Sequence, residues 1–217
     1  MTTSTEPTRP FIPGMGVEWL LPLYDPLTRL LGLDRARRAL VAAADLRPGH
    51  RVLDIGCGTG SLAVLIARLH PGVEVVGLDP DPGALARATR KARRAGVTIQ
   101  FERGFSDALP FPDGAFDRVF SSFMFHHLQR GEKGQALREV RRVLKAGGSL
   151  HLLDFAGPAS TGATRRRGLH SHARLEDNGA GTVIALMSGA GLMAATETDH
   201  RSMLHGLVDL AYYRAQR

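Results

Sequence analysis

The sequence predicts an α/β fold: a doubly wound, seven-stranded, mostly parallel sheet with helices on both faces. Three observations support this fold class. Short apolar segments alternate with segments whose apolar residues recur at helical spacing, short loops join them, and a glycine-rich turn ends the first apolar segment. This alternation is typical of parallel sheets covered by helices, in which ligands bind at the carboxyl ends of the strands.

Short apolar runs indicate the individual strands, and apolar residues that recur at helical spacing indicate the helices. Strands are predicted at 51–55, 73–78, 97–102, 116–122, 149–155, 192–199 and 204–213, and helices at 34–45, 61–70, 82–95, 133–144 and 180–190. In the first helix Asp34 is expected to cap the N-terminus, and Arg35, Arg37 and Arg38 are expected to face water. The polar, basic stretch 156–178 interrupts the alternation, and we interpret it as an excursion rather than a linker.

Length and composition limit the functional classes. The 217 residues, 43% hydrophobic and 23% charged, are enough for one globular domain. A single cysteine, Cys57, excludes an intramolecular disulfide and a multi-cysteine zinc site, and no metal is expected. Because the sequence has neither a signal-peptide pattern nor a long apolar run, we expect a cytoplasmic protein without a membrane span. The net charge of +7 forms no basic tail, so nucleic acid is not the expected partner.

A glycine-rich loop follows the first strand, in the segment VLDIGCGTG at 52–60. Its glycines, Gly56, Gly58 and Gly60, stand at alternate positions, unlike the G-x-G-x-x-G of dinucleotide-binding folds. Asp54 precedes the loop, where a carboxylate would repel a pyrophosphate but attract a cationic amino-acid group. The pattern favours a nucleoside ligand that carries an amino acid, with a structural turn or a dinucleotide site as the alternatives.

Asp79 ends the second strand, where its carboxylate could accept hydrogen bonds from two ribose hydroxyls. With this residue the sequence resembles the class I S-adenosylmethionine-dependent methyltransferases. The resemblance is carried by DIGCGTG at 54–60, GLDPDP at 77–82, GFSDALPFPDGAFD at 104–117, FMFHHL at 123–128 and EVRRVLKAGGSLHLLDF at 139–155. YDPLTRLLG at 24–32 resembles the quinone-biosynthesis branch, whereas FMFHHL departs from the sequence usual in that branch.

The resemblance implies a Rossmann-like fold, S-adenosylmethionine as the methyl donor and S-adenosylhomocysteine as the product. It implies that the loop backbone approaches the methionine and sugar, that Asp79 holds the ribose, and that Asp107 accepts the adenine amino group while the N–H of Ala108 meets the ring. As an alternative, Asp107 could have only a structural role, as a turn-forming or capping residue. The implied cofactor-binding residues are Tyr24, Asp54, Gly56, Cys57, Gly58, Gly60, Asp79, Pro80, Asp107, Ala108 and Ser122.

The roles of three of these residues need further comment. Tyr24 would cover the methionine end from an N-terminal lid, or be an ordinary core or surface aromatic residue. Cys57 is expected to be a small buried residue rather than a nucleophile, because no base-bearing motif accompanies it. Asp54 is expected either to orient the loop or to face the amino group of the donor through water.

Methyl transfer from a sulfonium needs little side-chain chemistry beyond holding the acceptor in line. An acceptor that must lose a proton needs a base, and His126 and His127 follow the fourth strand at the expected ligand edge. Adjacent residues point in different directions, so at most one should face the acceptor. A packing or capping histidine is the alternative. Phe123, Met124 and Phe125 suggest an apolar acceptor pocket, although the core could use them equally well.

The acceptor is expected to be a small molecule. FMFHHL contains none of the Asx-Pro-Pro-aromatic pattern of the amino-methylating enzymes, and Cys57 alone does not serve a cytosine or arsenite methylase. An RNA or protein methyltransferase and a nonenzymatic cofactor-binding regulator are the alternatives. Arg165, Arg166 and Arg167 with neighbouring histidines could receive an anion, or form a solvated loop.

The expected organisation is a flexible lead at 1–14 and one methyltransferase domain at 15–217. Within that domain we expect an N-terminal helical lid at 15–46, a cofactor-binding core at 47–155, and at 156–217 a basic excursion followed by a C-terminal, substrate-side part. The oligomeric state cannot be read from the sequence.

Overall fold

The computed structural model describes residues 32–157, 176–203 and 208–217. Tyr24, the first 31 residues and the arginines at 165–167 lie outside these ranges. The first five strands of the described part are β1 (Arg51–Ile55), β2 (Glu74–Asp79), β3 (Gln100–Arg103), β4 (Phe116–Ser122) and β5 (Leu144–Phe155). The last two are β6 (Met193–Met203) and β7 (Val208–Gln216), and the α-helices are α1 (Leu33–Ala42), α2 (Ser61–Leu69), α3 (Pro82–Arg94), α4 (Arg130–Val143) and α5 (Ala180–Gly189).

The strands form one seven-stranded sheet in the order β3-β2-β1-β4-β5-β7-β6. Strands β1 to β5 pair in parallel, and β7 is antiparallel to both β5 and β6. The register aligns Ile55 with Leu78 and with Ser121, and Ser122 with Leu153. Four parallel strands therefore end at the same edge, and the loops that follow them lie side by side. The predicted doubly wound, mostly parallel α/β sheet is confirmed.

Helices cover both faces because each buries an apolar stripe. On one face α4 and α5 supply Leu137, Val140, Val143, Val183 and Met187 to the core. On the other, α1 and α2 supply a second cluster, and α3 buries three alanines of its own. In the described helices, none has both the length and the hydropathy needed to cross a membrane.

The structure corrects several local predictions. Strand β5 begins at Leu144, five residues before the predicted 149, because it continues directly from α4. The N-cap of α1 is Gly32, and Asp34 lies in the first turn instead. Arg37 does not face water: its side chain is 3% exposed. It stands four residues after Leu33 and three before Leu40, so helical periodicity places it on the buried stripe.

Candidate active site at the carboxyl edge of the sheet

The glycine loop is held by its backbone at the end of β1. The N–H groups of Gly56 and Cys57 both donate to the carbonyl of Leu78, at 2.8 and 3.0 Å, which ties the loop to β2. Gly56 has φ +66°, and a Cβ there would overlap Cγ of Met124. Gly58 also has a positive φ, of +53°, but a Cβ there would meet nothing within 4 Å. The loop therefore packs closely at Gly56 and opens outward at Gly58, as a cradle for a ligand requires.

Gly60 serves the packing of the helix that follows the loop. It is the N-cap of α2 with φ +77°, and a Cβ there would lie 2.8 Å from Cβ of Ala88 in α3. A side chain at this position would push the two helices apart. Its role is therefore to let α2 start close to α3, which fixes the direction of the loop.

Asp54 lies under the loop, almost completely buried at 1% exposure. Its carboxylate accepts a hydrogen bond from the backbone N–H of Ala63, in the first turn of α2, where Gly60 offers no side chain as a cap. Burial raises the pKa of Asp54 to about 7, against an opposing effect of the nearby charge of Arg37. The Oδ2 atom of Asp54 has no hydrogen-bond partner within the described ranges. Asp54 thus orients the loop directly and keeps one oxygen unused.

Asp79 fixes the loop from the end of β2. Its Oδ2 accepts the N–H of Gly58 at 2.8 Å, and its Oδ1 accepts the N–H of Asp81 at 2.9 Å. Burial raises the pKa of Asp79 to about 6, although both backbone bonds favour the charged form. Asp81 in turn caps α3 through the N–H groups of Gly83 and Ala84. This chain of contacts places a carboxylate beside the open side of the loop.

The remaining residues expected to bind the cofactor differ in their surroundings. Cys57 is buried, and burial raises the pKa of its thiol well above the ordinary value, so it is a poor nucleophile. Pro80 and Ser122 are half-buried at the ends of β2 and β4. Asp107 is half-buried in a turn in which the N–H of Ala108 already donates to the carbonyl of Phe105, at 3.2 Å. An adenine ring could use that N–H only by sharing it.

Two residues of α4, which the sequence analysis did not single out, hold the Asp107 loop in place. Glu139 accepts the N–H of Leu109 at 2.9 Å. Arg142 donates to the carbonyls of Leu109 and Phe111, at 3.0 and 2.8 Å, and pairs with Glu139 at 2.7 Å. In the sequence, Glu139 and Arg142 are visible only as an oppositely charged pair at i, i+3 of a helix. The same pattern is typical of solvent-exposed pairs, so it does not predict the contacts with the Asp107 loop.

His126 and His127 have different environments. His126 is 9% exposed, and a distance of 2.6 Å joins its Nδ1 to Oδ1 of Asp154, while its backbone N–H donates to Oδ2 at 2.9 Å. His127 is half-buried, with its ring 4.1 Å from that of His126. Because a carboxylate can only accept hydrogen bonds, pairing with Asp154 makes Nδ1 the donor and leaves Nε2 as the nitrogen with a free lone pair. The arrangement is that of an oriented general base.

Asp154 is a residue that sequence reasoning missed. It is buried near the end of β5 and also accepts the N–H of Phe155 at 2.7 Å. The available signal was its position: like Asp54 and Asp79, it is an acidic residue at the carboxyl end of a parallel strand.

A buried lysine supports the same region from α4. The Nζ of Lys133 donates to Oδ1 of Asn178 at 2.6 Å and lies 5.2 Å from the ring centroid of Phe125. Asn178 donates to the carbonyl of Phe155 at 3.2 Å. Burial lowers the pKa of Lys133, whereas the charges of Asp177 and Asp154 oppose this. The contacts attach the segment before α5 to the backbone beside Asp154.

The apolar residues after β4 divide between core and site. Phe123 and Phe125 are buried in the two core clusters, so the core alternative describes them correctly. Met124, half-buried, lies against Gly56 and is the member of this group that reaches the loop.

Comparisons with known proteins agree with this geometry. Residues 52–148 match the family model of the methyltransferase domain. A demethylmenaquinone methyltransferase from Thermus thermophilus is 46% identical over 142 residues, 64% of each chain. A ubiquinone/menaquinone biosynthesis C-methyltransferase from Xanthomonas campestris is 39% identical over 140 residues, 61% of this chain and 54% of the relative. The chain thus spans less than two thirds of the length of these relatives.

A solved structure shows the same fold at lower identity. A SAM-dependent methyltransferase from Aquifex aeolicus superposes with a TM-score of 0.66 at 20% identity, over 83% of this chain and 89% of that one.

Proposed function

We propose that the protein is a class I S-adenosylmethionine-dependent methyltransferase that transfers a methyl group from S-adenosylmethionine to a small-molecule acceptor, because residues 52–148 match the family model of the methyltransferase domain. One observation carries the proposal: the open glycine loop with Asp79 and the His126–Asp154 pair follow neighbouring parallel strands and end at the same edge of the sheet. A donor site and an oriented base at one edge are what methylation of a proton-bearing acceptor needs.

The residues of the loop fit the donor. The backbone at Gly56 and Gly58 would approach the methionine and sugar, and Asp79 would accept from the ribose hydroxyls with the lone pairs that its two backbone bonds leave. Gly60 and Cys57 would shape the loop. When bound, the donor supplies an already activated methyl group on a sulfonium. Pro80, Asp107, Ala108, Ser122 and Tyr24 complete the proposed cofactor site.

His126 would act as the general base of the reaction. Its Nε2 would receive the proton of the acceptor, and the carboxylate of Asp154 would stabilise the resulting imidazolium and keep the ring from rotating. The backbone bond from His126 to the same carboxylate makes the geometry rigid at two points. His127, half-buried beside His126, is the alternative candidate for contact with the acceptor.

We propose an apolar acceptor with an aromatic ring that carries a hydroxyl. One named relative is a demethylmenaquinone methyltransferase, and the other is a C-methyltransferase of ubiquinone/menaquinone biosynthesis. Met124 offers an apolar, adaptable side chain next to the loop, and a hydroxyl would supply the proton that His126 is oriented to take.

The test measures donor binding first and turnover second. Calorimetry should show that S-adenosylmethionine and S-adenosylhomocysteine bind and that NAD does not. Asp79→Asn should weaken both adenosyl ligands by about 1–3 kcal/mol, the effect expected when a charged hydrogen-bond acceptor is lost. Asp209→Asn, an exposed aspartate in β7, is the matched control and should change nothing. Methyl transfer is then assayed with reduced demethylmenaquinone. Absence of adenosyl binding to the wild type would refute the proposal.

The other expectations are proposals of the same kind: a single domain at 15–217, a cytoplasmic location, and no nucleic acid partner. The unpaired, buried Cys57 supports a reducing compartment. Limited proteolysis, cell fractionation and a binding titration with RNA at low salt test the three in turn, and a salt-dependent RNA complex would favour the nucleic-acid alternative.

A further inference from the structure

From the surroundings of Arg37 we infer that its guanidinium binds the carboxylate of the methionine part of S-adenosylmethionine, opposite Asp54, which faces the amino group. The inference rests on the proposed function, since it concerns the same donor. It assigns a binding role to a residue that lies outside the glycine motif and on a different element, α1.

Arg37 is a buried cation with too few partners. Its side chain is 3% exposed, and its Nη1 donates to Oδ1 of Asp34 at 3.2 Å, a carboxylate whose own side chain is 47% exposed. The Nε atom has no hydrogen-bond partner within the described ranges. Removing a guanidinium from water costs several kcal/mol unless its donors are satisfied. A weak, half-solvated pair leaves that cost largely uncompensated, so a further anion is expected.

The position of Arg37 points to the donor site. Its Cζ lies 5.4 Å from the ring centroid of Phe123, which directly follows β4. Because Ile55 is in register with Ser121, Phe123 stands level with the glycine loop. Phe123 also has φ +58°, a conformation that non-glycine residues rarely adopt and that is frequent at functional sites.

The second unsatisfied atom near this point has the opposite charge. Oδ2 of Asp54 lacks a partner within the same ranges, and the nearby charge of Arg37 lowers the pKa of that carboxyl, against the larger opposing effect of burial. An α-amino acid carries a carboxylate and an ammonium on one carbon, and therefore matches a guanidinium and a carboxylate held in the same region. The planar fork of arginine binds a carboxylate through two parallel hydrogen bonds.

The experiment compares a ligand that has the amino acid with one that lacks it. Calorimetry with S-adenosylhomocysteine and with 5′-methylthioadenosine is done on the wild type, Arg37→Gln and Arg38→Gln. Arg38, the next residue, is exposed and serves as the matched control. Arg37→Gln should weaken S-adenosylhomocysteine roughly 10- to 100-fold, the loss of a charge-assisted hydrogen bond, and leave 5′-methylthioadenosine unchanged. Arg38→Gln should affect neither ligand, and Arg37→Lys should recover part of the loss.

Two results would overturn the inference: unchanged affinity of Arg37→Gln for S-adenosylhomocysteine, or an equal loss for both ligands. If Arg37→Gln fails to fold, decarboxylated S-adenosylmethionine is titrated into the wild type, and Arg37→Lys replaces the glutamine variant. Equal affinity for S-adenosylmethionine with and without its carboxylate would then contradict the assignment. If the wild type binds no adenosyl ligand, the proposed function itself has failed, which is distinct from a selective failure at Arg37.

Discussion

Replacing Asp54 with asparagine should stabilise the ligand-free protein at neutral and alkaline pH. Burial raises the pKa of this carboxyl from 3.8 to about 7. A folded-state pKa above the unfolded value means that folding takes up a proton between these values. The contribution of Asp54 to the free energy of unfolding is therefore fully present below about pH 4 and is lost as the pH rises to about 7. Asparagine does not titrate and is close in shape.

The size of the effect follows from the shift. Each pH unit corresponds to about 1.4 kcal/mol, so a shift from 3.8 to about 7 amounts to about 4 kcal/mol. The advantage of Asp54→Asn over the wild type should thus grow between pH 4 and pH 7 and be constant above it. For a chain of 217 residues, this is on the order of 10 °C in Tm at pH 8.

The assay is the thermal unfolding of the wild type, Asp54→Asn and Asp209→Asn from pH 5 to pH 8.5. The exposed Asp209 reports the effect of removing a surface charge. A pH-independent difference between the wild type and Asp54→Asn, or a loss of stability of that variant at pH 8, would refute the reasoning. It would mean that the bond to Ala63 outweighs the cost of burying the charge.

Two further predictions concern the packing under the loop and the base. Gly60→Ala should lower the free energy of unfolding by about 1–3 kcal/mol, because its Cβ would lie 2.8 Å from Cβ of Ala88 and its φ is +77°. The control is Gly131→Ala in α4, where a Cβ meets nothing within 4 Å, and it should raise the free energy of unfolding by up to about 1 kcal/mol. Urea titration measures both variants. Asp154→Asn should lower kcat by roughly 100-fold or more and leave S-adenosylhomocysteine affinity within about twofold; an unchanged kcat and pH profile would remove His126 from the role of base.

The parts of the fold that depend on local sequence were predictable. Strands β1, β2 and β4 and the glycine loop follow from apolar runs bounded by turn residues, and these rules need no knowledge of the partner strands. The ends of β3, β5, β6 and β7 were less accurate, because pairing with neighbouring strands rather than local pattern decides where these strands begin and end.

The partners of the site residues were not predictable in the same way. Asp154 meets His126 only because β4 and β5 are adjacent and in register, with Ser122 opposite Leu153. Arg37 was expected to face water because arginine usually does, yet its helical phase with Leu33 and Leu40 was already visible in the sequence. The burial of Arg37 follows its position on the helix and not the usual preference of arginine for water.

Arg37 and Asp54 are costly to the ligand-free fold in the same way, because each is a buried ionisable group whose hydrogen bonds are incomplete among the described residues. Each is almost completely buried, and each has one polar atom without a hydrogen-bond partner in the described part of the chain. Hydrophobic replacements of similar volume would fold at lower cost, as replacement of buried ion pairs often shows. A fold that keeps such groups level with the glycine loop gains something other than stability, because natural proteins commonly lose stability at binding sites. In this protein the compensation would come with the amino-acid part of the donor, which brings one charge for each of the two residues.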